Sequence, residues 1–105
     1  MGESRRLSWI EDALRLNDQR RKVRYAELRA EGARWMLECR DLWDAEDDDG
    51  GVYFSGCANG VEVNAAIAGM DPSSDRLMGV YDLTRPLDEQ GPGLTVQQWL
   101  AGVRE

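Results

Sequence analysis

Side chains suited to nucleophilic attack, or to proton transfer near neutral pH without a shifted pKa, are scarce in these 105 residues. Histidine is absent, which removes the usual general base near neutral pH, the commonest metal ligand and every histidine-dependent triad. Two cysteines, Cys39 and Cys57, sit in apolar surroundings, one on a helix-like stripe and one in a strand-like run. They read as reduced, buried thiols, since no imidazole can activate them and a pair is too few for a disulfide scaffold. Lys22 stands among Arg20, Arg21 and Arg24, without the desolvation that turns a lysine into a Schiff-base nucleophile. The glycines form neither a dinucleotide-binding nor a Walker A pattern. The acidic run Asp44 to Gly50 resembles half of a calcium loop, yet setting Gly50 at the sixth position puts Ala45 and Gly56 where ligands are required. No catalytic residue, cofactor or metal ligand is assigned, and the balance leans away from an enzyme.

Charge is distributed unevenly. Residues 1–40 hold ten Arg or Lys against seven Asp or Glu, a balance of +3, whereas residues 41–105 hold three against thirteen, a balance of −10. Segmental asymmetry of this kind points to interaction surfaces and not to fold. The basic group at Arg20–Arg24 suits phosphate, but the acidic second half repels nucleic acid, so direct nucleic-acid binding is not expected. An order of helix, three strands and helix also occurs in double-stranded RNA-binding domains, yet the last helix here starts Thr95-Val96-Gln97-Gln98, with no basic residue to grip phosphate. Thirteen carboxylates permit the opposite role, an acidic mimic of nucleic acid that blocks a DNA- or RNA-binding partner.

The elements that must position any surface follow from periodicity and turn signals. Ser8-Trp9-Ile10-Glu11 spells a capping box; Leu7, Ile10 and Leu14 share one helical face, widened by Trp9, Ala13 and Leu16, with a break expected at Asn17-Asp18. From Asp18 to about Asp44, Tyr25, Leu28, Trp35, Met36, Cys39, Leu42 and Trp43 fall on one bulky stripe, with Gly32 among them. Val23, Ala26, Ala30, Ala33 and Leu37 make a second, small-residue stripe at heptad spacing. Asn59-Gly60 between the apolar runs Val52 to Ala58 and Val61 to Ala68 signals a two-residue hairpin. Arg76 to Leu83 gives a third strand. Thr95 to Gln98 is a second capping box, with Leu94 and Trp99 placed as a hydrophobic staple.

The expected fold is therefore α+β in one domain, 1–105: an N-terminal helical segment over 7–45 as one long or two helices, a three-stranded antiparallel meander over 52–83, and a short C-terminal helix over 95–104. Four tryptophans supply much of its core. The N-terminus lacks the apolar stretch of a signal peptide, Arg6 stands where a myristoylation motif needs Ser or Thr, and no apolar run reaches the ~20 residues of a membrane span. A cytoplasmic, membrane-free protein is expected. Functionally, the two-faced helix points to a non-catalytic protein-interaction domain, a small regulator or inhibitor acting by surface complementarity on a protein partner and able to homodimerise. The expected surface comprises Val23, Ala26, Ala30, Ala33 and Leu37 with Arg20, Arg21, Arg24, Asp47, Asp48 and Asp49. An antiparallel pair of copies brings the basic segment of one to the acidic segment of the other. The mimic is the second reading, and a small enzyme or ligand-binding protein the third.

Overall fold

The computed structural model describes residues 2–44, 51–71 and 73–102, with the side chains of the first helix described from Arg15 onward. Helix α1 runs over Gly2–Ala30, strand β1 over Trp35–Asp41, strand β2 over Val52–Cys57, helix α2 over Gly60–Gly69, strand β3 over Asp75–Asp82 and helix α3 over Val96–Ala101. Short 3-10 turns occupy Leu42–Asp44 and Leu87–Glu89. The class is α+β as expected: a leading helix, three antiparallel strands and a short closing helix.

Three assignments within it differ from the sequence expectation, each for a physical reason. Helix α1 passes through Ser8 and Asn17 without interruption and stops at Ala30 instead of continuing to residue 45. Its stop is a Schellman motif: the Ala33 amide donates to the Leu28 carbonyl and the Gly32 amide to the Arg29 carbonyl, with Gly32 at φ 89°. Gly32 is thus the residue that ends the helix, not a gap on a stripe within it. Beyond it, Trp35-Met36-Leu37-Glu38-Cys39 is buried throughout because β1 is the central strand, covered on both faces. A doubly covered strand reads as an unbroken apolar run and loses the period of two that betrays a strand.

The third difference is at Asn59-Gly60, which forms no hairpin turn. Asn59 has extended backbone at φ −157° and caps α2, its side-chain oxygen accepting from the Glu62 amide while the Glu62 carboxylate accepts from the Ala58 amide. Val61 to Ala68 is accordingly helical, and only Gly60 and Val63 of α2 are fully buried. The sheet order is β2-β1-β3, so the first strand lies between the other two. The capping box at Thr95 stands as read: Thr95 accepts from the Gln98 amide and Gln98 accepts from the Thr95 amide. Leu94 and Trp99 of the staple join one core cluster.

The core divides by sheet face. Trp35, Leu37, Cys39, Val80 and Cys57 pack under α2 and α3 with Val63 and Trp99, and the Trp35 and Trp99 rings meet edge to face at 4.8 Å. Met36, Val52, Phe54, Tyr81 and Leu83 pack under α1 with Leu28. The two lists interleave along β1, as alternate strand residues must. No helix among the described residues is long and apolar enough to cross a membrane.

Candidate interaction surface

Helix α1 is fixed to its sheet face by a polar clamp as well as by Leu28. Arg21 donates from Nε to one Glu38 oxygen at 2.6 Å and from Nη2 to the other at 3.0 Å, and the Tyr81 hydroxyl donates to the same carboxylate at 3.1 Å. Glu38 is buried, so this bidentate pair satisfies a charge that has left water. The hydrogen bond it donates to Glu38 holds the Arg21 guanidinium above its ordinary range despite partial burial. Burial, followed by the negative charge of Glu38, keeps the Tyr81 hydroxyl protonated far above neutrality. Arg21, expected on the outer surface, thus belongs to the helix's underside.

Its neighbours face differently. Arg20 donates to the Val52 carbonyl at 2.8 Å and lies over the Phe54 ring at 5.7 Å. Arg24 pairs with Glu27 at 2.7 Å on the exposed side, and Lys22 with Asp18 at 3.2 Å. Between this stretch of α1 and β2 runs a groove of about 600 Å³ lined by Leu16, Gln19, Arg20, Val23, Arg24, Glu27, Tyr53 and Phe54. Val23 is 56% exposed, Leu16 40% and Tyr53 37%. Tyr53 and Phe54 are consecutive in a strand and point to opposite faces, so a groove touching both reaches over the strand's outer edge.

The residues expected on one small-residue face are separated. Val23, Ala26 and Ala30 are exposed on α1, Ala33 is half-buried beyond the helix end, and Leu37 is fully buried on the far side of the sheet. The stripe dissolves because it spanned the end of the helix. Asp47, Asp48 and Asp49 lie outside the described residues. Leu16, Gln19, Glu27, Tyr53 and Phe54 join the surface beyond the sequence expectation, although an uncharged strand, Val-Tyr-Phe-Ser-Gly-Cys, is a sequence signal for an unprotected edge.

The two edges of the sheet are treated differently. On β3, the outward amide and carbonyl of Val80 are bonded to Leu94 at 2.9 and 2.8 Å, and those of Asp82 to the side-chain amide of Gln90, both at 2.6 Å. On β2, the Asp41 amide donates to the Gly51 carbonyl, which sets the alternation: Gly51, Tyr53 and Ser55 turn towards β1, while Val52, Phe54 and Gly56 turn outward. Arg20 reaches the Val52 carbonyl. Among the described residues, no hydrogen bond reaches the outward groups of Phe54 and Gly56.

The thiols offer little chemistry. Burial pushes Cys39 up to about 11 and raises Cys57 as well, so both are protonated at neutral pH, and Cys57 is buried, not presented to solvent. Asp82 is held below the usual carboxylate range although burial pushes it up, because the Thr84 hydroxyl and amide and the Arg34 guanidinium outweigh that burial. Its hollow of about 300 Å³, shared with Arg85, Gln90 and Gln98, therefore contains an engaged carboxylate and no poised base. Among the described residues no group of three or more His, Cys, Asp or Glu is placed to hold a metal ion. What the α1–β2 groove can do is recognise: apolar walls, two guanidinium groups, one carboxylate and an open strand edge. Compared with protein-family models, curated proteins and solved structures, the chain matches none.

Proposed function

We propose that this chain is a non-catalytic, cytoplasmic protein-interaction domain, a small regulator or inhibitor that works by surface complementarity through the groove between α1 and β2. The observation that carries the reading is the cluster of exposed apolar side chains Leu16, Val23 and Tyr53 around one groove, framed by Arg20, Arg24 and Glu27. Apolar walls supply association energy when water leaves them, and the charged rim selects among partners. Buried, protonated thiols fit a recognition role better than a nucleophilic one.

The test is comparative capture. Tagged wild type and Val23→Arg are expressed in the source cell and their co-purifying proteins quantified by mass spectrometry. Val23 is exposed, so the substitution should change stability by less than about 0.5 kcal/mol. A specific partner enriched with wild type should be lost with the variant. Identical partner sets for both proteins would count against the groove.

A further inference from the structure

We infer that the occupant of the groove and of the open sheet edge is a second copy of this chain, paired antiparallel through β2 so that two three-stranded sheets become one of six strands. The inference rests on the interaction-domain reading and names its partner.

Three features converge on it. First, the chain closes its own β3 edge with Leu94 and Gln90 but leaves the outward amides and carbonyls of Phe54 and Gly56 on β2 without a bond among the described residues. An uncharged edge of this kind is a template for another strand, and natural proteins otherwise blunt such edges with charge, proline or cover. A twofold axis at Phe54 pairs Phe54 with its own copy and Val52 with Gly56 of the second copy, so all three outward-turned positions face one another.

Second, the same axis suits the helix. Arg20 touches Val52, and a Cβ built on Gly56 would stand 2.6 Å from Leu28 Cδ2. Eight residues of helix rise ~12 Å and four residues of strand ~13 Å. Helix α1 therefore travels alongside β2 in the same direction and in step, with residue 24 level with Phe54. A twofold at Phe54 runs the two α1 helices antiparallel about that level. Val23, exposed in one chain, then acquires a partner helix as cover.

Third, the charges are self-complementary about that centre. Arg20 and Arg24 stand at or before residue 24, Glu27 in the helix turn after it, and Glu31 just beyond the helix end. Antiparallel copies set Glu27 of each chain opposite the stretch between Arg20 and Arg24 of the other, and an isologous contact makes every such pairing twice.

The test uses the full chain. Light scattering and sedimentation over a dilution series should show a dimer dissociating to monomer, with the Phe54 and Gly56 amides protected from hydrogen exchange in the dimer and released on dilution. Glu27→Arg should weaken association by about tenfold or more while leaving the circular dichroism spectrum of the monomer unchanged and lowering its melting temperature only slightly, through loss of the exposed Arg24–Glu27 pair. Adding Arg24→Glu to it should restore most of the affinity, because the signs exchange together in both copies. A dimer indifferent to Glu27→Arg and with an exposed Phe54 amide overturns the inference, since association then runs through another surface. A monomer at every concentration also overturns it. In that event a random-peptide display selection on the immobilised protein separates the two readings. Selected extended peptides that shield the Phe54 amide leave the groove as a docking site for a foreign strand, whereas no selected peptide removes the interaction reading too.

Discussion

Glu38 carries its carboxylate into an interior strand at 4% exposure, and its two oxygens are taken by Arg21 and Tyr81. Removing one partner of such a pair strands the other's charge, whereas removing both leaves packing and the Tyr81 hydroxyl to be accommodated. Glu38→Ala should cost about 2–4 kcal/mol in urea unfolding, and Glu38→Leu combined with Arg21→Met should cost less than either single change. A double mutant worse than both singles would contradict the clamp. The sequence displayed both ends of this bond but not their pairing: Arg21 reads as one member of a basic surface patch, and Glu38 lies in a stretch expected to be helical. The same scale gives a pH dependence. Cys39 is raised by burial from its ordinary 9 to about 11, so the folded chain prefers the neutral thiol. Its contribution to stability is complete below pH 9 and is lost as the pH rises through about 11. Thermal unfolding between these limits should fall more steeply for wild type than for Cys39→Ala, and parallel curves would remove burial of the thiol as the cause.

At the scale of elements, the decisive residues are those that stop and start helices. Gly32 illustrates how a correct local fact can carry the wrong sign. Within a helix, glycine costs ~1 kcal/mol relative to alanine, so Gly32→Ala would stabilise. At the C′ position, with φ 89°, the same substitution forces a side chain into the left-handed region, although open space surrounds the Cβ site. Gly32→Ala is therefore expected to destabilise by about 1 kcal/mol in chemical denaturation, and Gly32→Asn by less, because asparagine tolerates that conformation. A gain in stability would restore the continuous helix. Asn59 poses a similar choice between two legitimate signals. Asn-Gly is a hairpin dipeptide, but Asn59-Gly60-Val61-Glu62 is also a helix start with glutamate at the third position, and the Val63 side chain of that helix is completely buried. The second capping box, at Thr95, had no competing turn signal and was legible as it stands.

For the whole molecule, the leading and closing helices, the strands at β2 and β3 and the charge balance were legible, whereas β1 was read as helix, α2 as strand, and the layering was not visible, because layering depends on what covers each face. Sequence patterning identifies a half-covered strand by alternation. It cannot separate a strand covered on both faces from a buried helix when the run is only five residues long. Here α1 covers one face of β1 and α2 with α3 the other, with Leu28, Met36 and Tyr81 on the first side and Trp35, Leu37 and Trp99 on the second. Strand β1 contributes residues to both clusters, so it cannot open without exposing both. Its amides should accordingly exchange with solvent only through global unfolding. In native-state hydrogen exchange, Met36, Leu37, Glu38 and Cys39 should show the largest opening free energies in the chain and the steepest denaturant dependence, as expected for the last unit to open. The six-residue helix α3, held by Trp99 and the Thr95 cap, should open at lower cost. If α3 were to outlast β1, the two faces would be opening independently, and the central strand would not be what joins them.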